Sequence, residues 1–374
     1  MQHERIECMK KKVLGLTTAL IRQYINHWKP FSRLFLLCDS PVWSIAHDMN
    51  ELRSVCRSLN IRTLKAGFAA AISNKQCIFV GSHFELLIEN NRWLQSTGNR
   101  LATAYFHGKP GLGVDEFDIC YENLARYHHL ISRIQVSCSE MRDIILESGI
   151  SSEKVFHIPI GINLSFFSQQ TAFSKKTMRR ELEIPENAVV VGSFQKDGEG
   201  WGDGMNPKLI KGPDIFLKTV EILKQSVPEL YILLSGPARG YVKSGLNRLK
   251  IPYKHVYQES YSDIGRMFQA LDLYIVASRE EGGPKAVLES MASGVPLVTT
   301  RVGQAMDLVE HGRNGWMVPP DDHKGLAHWS TYALEHTTSI RPVIQTARET
   351  AEKNSYTSQI PLWLDFMKGF VEIK

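Results

Sequence analysis

Residues 273–302 read LYIVASREEGGPKAVLESMASGVPLVTTRV. The apolar run LYIVAS reads as a buried strand. A polar loop with two glycines follows, then a helical stretch, PKAVLESMASG, then a second apolar strand, PLVTTRV. A strand, a helix and another strand in so short a span is the unit that builds a parallel sheet. Pro284 suits the first turn of the helix, where its missing N–H is no loss. Gly282 and Gly283 carry no side chain and let a ligand approach the backbone.

Working outward, the same alternation fills both halves of the chain. In the first half the strands are RLFLLCDS, CIFVGS, LATAYFHG, ISRIQVSCS and KVFHIPIG, with helices at SIAHDMNELRSVCRSL, VDEFDICYENLARYHH and EMRDIILESG. A polar stretch, SQQTAFSKKTMRRELEIPEN, separates the halves. The second half restarts with AVVVGSF and continues through ELYILLSGP, HVYQES, LYIVAS, PLVTTRV and NGWMVPP, with AMDLVEHG as a helix between the last two. The expected architecture is α/β, with two doubly wound Rossmann-like domains facing each other across a cleft. Ligands of such sheets bind outside the carboxyl ends of the strands. The expected boundaries are residues 1–170 and 171–355, with 356–374 as a terminal helix crossing back to the first domain.

The chain has 374 residues, 43% hydrophobic and 22% charged, with a formal charge of +5. This composition fits a folded two-domain protein. The charge is compatible with an anionic ligand and too weak to argue for nucleic acid. No apolar run approaches the roughly 20 residues that cross a bilayer, and the start MQHERIECMKKK does not read as a signal peptide. Six cysteines form no C-x-x-C pair, which favours reduced thiols in a cytoplasmic protein. Residues 1–33 contain a basic segment with Leu16, Leu20, Tyr24 and Trp28 near helical spacing. Such a helix lies on an anionic membrane or packs on the protein itself, and periodicity does not separate the two.

The decisive loop poses a chemical question. A helix start offers unpaired N–H groups and partial positive charge, which suit phosphate. Yet Glu281 and Glu289 flank it. Carboxylates repel phosphate but accept hydrogen bonds from sugar hydroxyls. A ligand with a diphosphate centre and a sugar at each end satisfies both.

Glu281, seven residues and Glu289 resemble the E-x7-E motif of retaining GT-B glycosyltransferases of the GT4 family. The wider blocks at residues 271–322 and 189–223, with YILLSGP, are similar to that family's donor domain, and ISRIQVSCSEMRDIILESGISSEKVFHIPIGIN to the end of its first domain. The resemblance implies transfer of a hexose-like sugar from a nucleotide-diphosphate donor to a saccharide or lipid-linked acceptor. The implied setting is surface polysaccharide or lipopolysaccharide synthesis, in the cytoplasm or peripherally on the inner membrane face. It implies that Glu289 binds ribose, Glu281 the transferred sugar, and Lys211 the leaving diphosphate, with His107 near that sugar. Gly282, Gly283, Lys285, Lys196, Ser193 and Gly192 line the donor site. No metal or other cofactor is implied.

The chain departs from the family pattern at several places. Gly192-Ser193 stands where the family has Gly-Arg, leaving Lys196 or Lys208 to supply the missing charge. Gly283-Pro284 replaces Phe-Gly. The loop after the first strand differs too, with Asp39 and Trp43 as weaker candidates. The departures at Ser193 and Gly283-Pro284 keep open a catalytically silent sugar-nucleotide-binding module, and a sugar-nucleotide epimerase or a sucrose- or glycogen-type synthase is the alternative enzyme.

Overall fold

The structure, a computed structural model, describes residues 29–38, 44–66, 75–89 and 98–373. The basic segment before residue 29, and Asp39 and Trp43, lie outside the described residues. The chain forms two compact units.

The first unit comprises the described residues up to Val136, with Arg142–Ile158 and the chain from Ile360 onward. Its strands are β1 (Leu34–Leu37), β2 (Thr63–Ala66), β3 (Cys77–Val80), β4 (Arg100–Tyr105), β5 (Ile131–Val136) and β6 (Val155–His157). They form one parallel sheet in the order β2-β1-β3-β4-β5-β6. Every residue of β1 and β3 is buried. That is why these strands read as unbroken apolar runs instead of alternating ones. Helix α1 (Ser44–Ser58) follows β1, α2 (Asp115–Tyr127) follows β4, and α3 (Ser139–Glu147) follows β5. β2 was not foreseen from the sequence, since TLKA is short and only partly apolar.

The second unit comprises Ser137–Met141 and Pro159–Gln359. After α4 (Ala172–Glu181) come β7 (Val189–Ser193), α5 (Pro213–Ser226), β8 (Leu230–Leu234), α6 (Gly240–Leu249), β9 (Tyr253–His255) and α7 (Tyr261–Phe268). Then follow β10 (Leu273–Val276), α8 (Lys285–Ser293), β11 (Leu297–Thr300), the single turn α9 (Ala305–Leu308), β12 (Trp316–Val318), α10 (His323–Glu335) and α11 (Arg341–Lys353). The sheet is parallel, in the order β12-β11-β10-β7-β8-β9. The chain leaves β7 toward β8 and β9, then returns to the other side of β7 with β10. The strand order therefore reverses between β7 and β10, the place where such sheets bind ligands.

Two sequence expectations are corrected here. The boundary expected at residue 170 falls at Ile158, because the segment after it packs into the second unit. Phe167 is fully buried there, edge-on to Phe268 at 5.9 Å. The strand expected at HVYQES lies earlier, at Tyr253–His255.

The terminal helix α12 (Ile360–Met367) belongs to the first unit. Phe366 packs edge-on against Phe79 at 5.8 Å and Phe156 at 5.0 Å. Beyond it, the Phe370 carbonyl accepts from Arg100 at 2.9 Å.

Candidate active site

The site is built where the loops after β7 and β10 meet. Gly212 allows that meeting. Its φ is +62°, and a Cβ there would sit 1.8 Å from the Ala277 carbonyl oxygen. Only glycine combines the left-handed conformation with so close an approach. The turn Leu209–Lys211 is thereby pressed against the end of β10, and Lys211 comes within reach of Glu281. Pro213 then opens α5 in its first turn.

The loop Glu281–Pro284 is held from behind. The Gly282 carbonyl accepts from Ser137 Oγ at 2.7 Å and from the Gln304 N–H at 3.1 Å. The Gln304 side-chain oxygen accepts from the Ile160 N–H at 2.9 Å. A Cβ on Gly283 would meet Ile160 Cδ1 at 2.4 Å. Any larger residue at 283 would have to displace the Ile160 side chain, a constraint not visible in the sequence. Pro284 caps α8 instead of standing in its first turn, and the cap carries no side-chain hydrogen bond. The start of α5 likewise lacks a side-chain cap. At α5, however, the Asp214 carboxylate in the first turn accepts from the Asp214 and Ile215 N–H groups, so of the two helices it is α8 that presents an N-terminus without a side-chain acceptor.

The charged groups gather in front of this frame. Lys211 Nζ lies 2.5 Å from Glu281 Oε2, with side-chain exposures of 24% and 12%. Ser278 Oγ donates to the other Glu281 oxygen at 3.0 Å. Gln195 donates its amide to the Lys211 carbonyl at 2.9 Å. Two further lysines stand close. Loss of hydration lowers the Lys208 ammonium below the usual lysine range, and the charges of Lys211 and Lys196 lower it further. Loss of hydration also lowers Lys196, whose ammonium sits 4.2 Å from the centre of the Trp201 ring. Lys208, standing between the charges of Lys211 and Lys196, makes with them a cationic group that suits a polyanion.

One turn into α8, Glu289 is 5% exposed. The Tyr261 hydroxyl donates to its Oε1. Lys285, four residues earlier on the same helix, lies over the Tyr261 ring at 4.4 Å. Glu289 and Lys285 therefore share one face of α8.

Ser193 and Gly192 have different duties from those expected. Ser193 is 1% exposed. Its carbonyl accepts from Arg239 at 2.6 Å, and its hydroxyl accepts from the same guanidinium at 3.1 Å. A Cβ on Gly192 would meet Leu271 at 2.5 Å, so that glycine serves packing. Arg239 also lies 3.1 Å from Asp197, and both side chains are sealed from water. Neither Arg239, Tyr261 nor Ser278 was singled out from the sequence. Their partners are 42, 28 and 3 positions away, and only the last is a spacing that a sequence pattern could reveal.

The second unit thus unites Lys211, Glu281, Lys196, Lys208, Glu289 and Lys285. His107 belongs to the first unit, just after β4. Its ring lies 5.3 Å from Phe84, 5.5 Å from Phe117 and 5.6 Å from His83. His83 is buried, and burial with the charge of His107 holds it well below the usual histidine range. Among the described residues, no three His, Cys, Asp or Glu side chains converge as metal ligands, and no helix is long and apolar enough to cross a membrane.

Residues 204–336 match the family described as Glycosyl transferases group 1. The chain is 26% identical over 200 residues to the D-inositol 3-phosphate glycosyltransferase of Pseudarthrobacter chlorophenolicus, covering 51% of this chain and 44% of that protein. It is 29% identical over 125 residues to the lipopolysaccharide core biosynthesis mannosyltransferase LpsB of Rhizobium meliloti, covering 31% of this chain and 36% of that protein. The matched stretch spans less than half the length of either relative. Anabaena HepE, solved in complex with UDP and glucose, is similar with a TM-score of 0.73 at 17% identity, over 90% of this chain and all of that one. This likeness shows the fold, GT-B, with its two Rossmann-like α/β units.

Proposed function

We propose, from the premise that residues 204–336 belong to the group 1 glycosyl transferases, that the chain transfers a hexose-like sugar from a nucleotide-diphosphate sugar to an acceptor hydroxyl. The observation that carries this reading is the joint presence of three lysines, the side-chain-uncapped start of α8 and two carboxylates at the reversal point of the second sheet. Cationic groups and backbone dipoles meet the diphosphate. Glu289 accepts hydrogen bonds from ribose, and Glu281 from the transferred sugar.

The Lys211–Glu281 pair acquires a specific role in this scheme. A diphosphate reaching Lys211 competes with Glu281 for the ammonium. As phosphate takes that partner, Glu281 turns its oxygens toward sugar hydroxyls. Lys208 and Lys196 supply the charge that the family's arginine supplies elsewhere, since Ser193 occupies that position and is buried. The scheme needs no metal to neutralise the leaving group.

The reaction proceeds with retention. The bond between the anomeric carbon and the phosphate oxygen breaks, and the electron pair leaves with the diphosphate. The acceptor oxygen forms its bond on the same face, and its proton passes to the departing phosphate oxygen. Lys211 stabilises the charge that develops there. The acceptor is a saccharide or a lipid-linked saccharide, and surface polysaccharide or lipopolysaccharide assembly at the cytoplasmic side of a membrane is the setting. HepE was crystallised with UDP, which makes UDP-sugars the first donors to try. His107 is retained as a catalytic residue on the resemblance alone.

The test measures release of nucleotide diphosphate from UDP-, GDP- and ADP-sugars by the full chain, with Glu289→Ala, Lys211→Ala and His107→Ala in parallel. Slow hydrolysis without acceptor, abolished by the first two changes, supports the reading. Binding without turnover of any donor points to a silent module. Isomerised sugar nucleotide in the product points to an epimerase.

A further inference from the structure

Glu289 is a nearly buried carboxylate, and a buried carboxylate is costly unless hydrogen-bonded. The Tyr261 hydroxyl donates to it from the first residue of α7. The Tyr261 ring is itself fixed on two sides. Phe167 packs against it edge-on at 5.8 Å, and the Lys285 ammonium lies over it at 4.4 Å. Lys285 and Glu289 are four residues apart on α8, so one tyrosine touches two groups on the same helix face.

We propose that Tyr261 is a positioning residue, which acts through Glu289 to set affinity for the ribose of the nucleotide. The inference rests on the donor-site reading above. A glutamate side chain has three rotatable bonds, and their freedom is lost when a ligand fixes the carboxylate. Tyr261 removes much of that freedom beforehand, because its ring cannot follow a moving carboxylate while Phe167 and Lys285 hold it. Preorganisation of this kind raises affinity without a contact to the ligand. The effect is confined to whatever Glu289 binds. Diphosphate contacts through the lysines are untouched.

Tyr261→Phe removes the hydroxyl and retains the ring with its contacts to Phe167 and Lys285. Calorimetric titration compares UDP with 2′,3′-dideoxy-UDP on the full chain. GDP and ADP with their dideoxy forms replace them if the native protein prefers those bases. Tyr261→Phe is expected to weaken UDP by about tenfold and to leave dideoxy-UDP at its native affinity. The double variant Tyr261→Phe with Glu289→Gln is expected to bind UDP no more weakly than Glu289→Gln alone. Native affinity of Tyr261→Phe for UDP overturns the inference, as does an equal loss for both ligands. In those cases a Glu289→Gln variant that still loses UDP leaves the donor-site reading standing. Unimpaired UDP binding by Glu289→Gln overturns that reading and the inference with it.

Discussion

Two ion pairs tie together loops at the carboxyl edge of the second sheet, and they are built in opposite ways. Lys211 and Glu281 meet at 2.5 Å with 24% and 12% of their side chains open to water. Arg239 and Asp197 meet at 3.1 Å with 0% and 1% open. In the sealed pair, burial raises the Asp197 carboxyl and lowers the Arg239 guanidinium despite their mutual attraction. Sealed charges are costly to desolvate. Arg239 is fixed by further hydrogen bonds to Ser193 and Ser235, whereas Asp197 is held by the ion pair, both of its carboxylate oxygens being buried without a hydrogen-bond partner. Arg239 reaches the Ser193 and Ser235 carbonyls, so it joins the ends of β7 and β8 to the loop that carries Lys196 and Lys208. In the open pair water and ligands compete for both partners. The same chemistry therefore serves shape in one place and exchange in the other, and access to water decides which.

The comparison can be broken most directly at the sealed pair. Asp197→Ala leaves Arg239 buried without its partner and is expected to cost about 3–5 kcal/mol of folding stability, measured by urea unfolding. Replacing both members, with Asp197→Leu and Arg239→Met, is expected to restore most of that loss. A double variant as unstable as the single one contradicts the assignment of the pair to shape. At the open pair the effect is expected in rate instead of stability. Lys211→Ala should lower kcat by about 10²–10³-fold, with a smaller loss of unfolding free energy than Asp197→Ala causes. A large loss of stability there erases the distinction between the pairs.

Smaller effects sharpen it. Glu289→Gln is expected to weaken nucleotide binding by about 10- to 100-fold, the loss of hydrogen bonds made to a charged acceptor. It should leave inorganic pyrophosphate binding unchanged by calorimetry. Trp201→Ala removes the ring beneath Lys196 at a site where the tryptophan is 56% exposed. It is expected to change donor affinity by about 0.5–1 kcal/mol. A larger change makes that loop a contact surface for the ligand itself.

The sequence made some of this legible and hid the rest for physical reasons. Parallel strands buried on both faces leave continuous apolar runs, so VVVGS and LYIV announced themselves. The pairing of Glu281 with Glu289 around a helix start is a local pattern and could be read directly. Lys211 stood out because a cation at a helix start is out of place unless an anion comes near. By contrast, Arg239 and Asp197 meet only after β8 is laid beside β7, and no spacing encodes that. Ser193 invited a ligand role by its position, yet its environment is set by Arg239. Gly283 suggested an open backbone, and the structure packs it against the Ile160 side chain. Pro284 lies one position outside the helix turn it was expected to occupy. Apart from Pro284, a matter of one position at a helix end, each of these misses concerns a neighbour brought by tertiary packing.

The return of α12 to the first unit governs the order in which the chain can fold. Phe370 closes on Cys77 and Arg100 across 293 and 270 residues of sequence. Contacts so distant in sequence form late, and domains mature as they emerge during synthesis. The second unit is complete once residue 359 has been made, while the first waits for its final helix. The sheet of the first unit is therefore sealed only after the whole sequence of the second unit has been made. A chain ending at residue 359 would hold the whole sequence of the second unit, with the apolar surface around Phe79 and Phe156 lacking its cover.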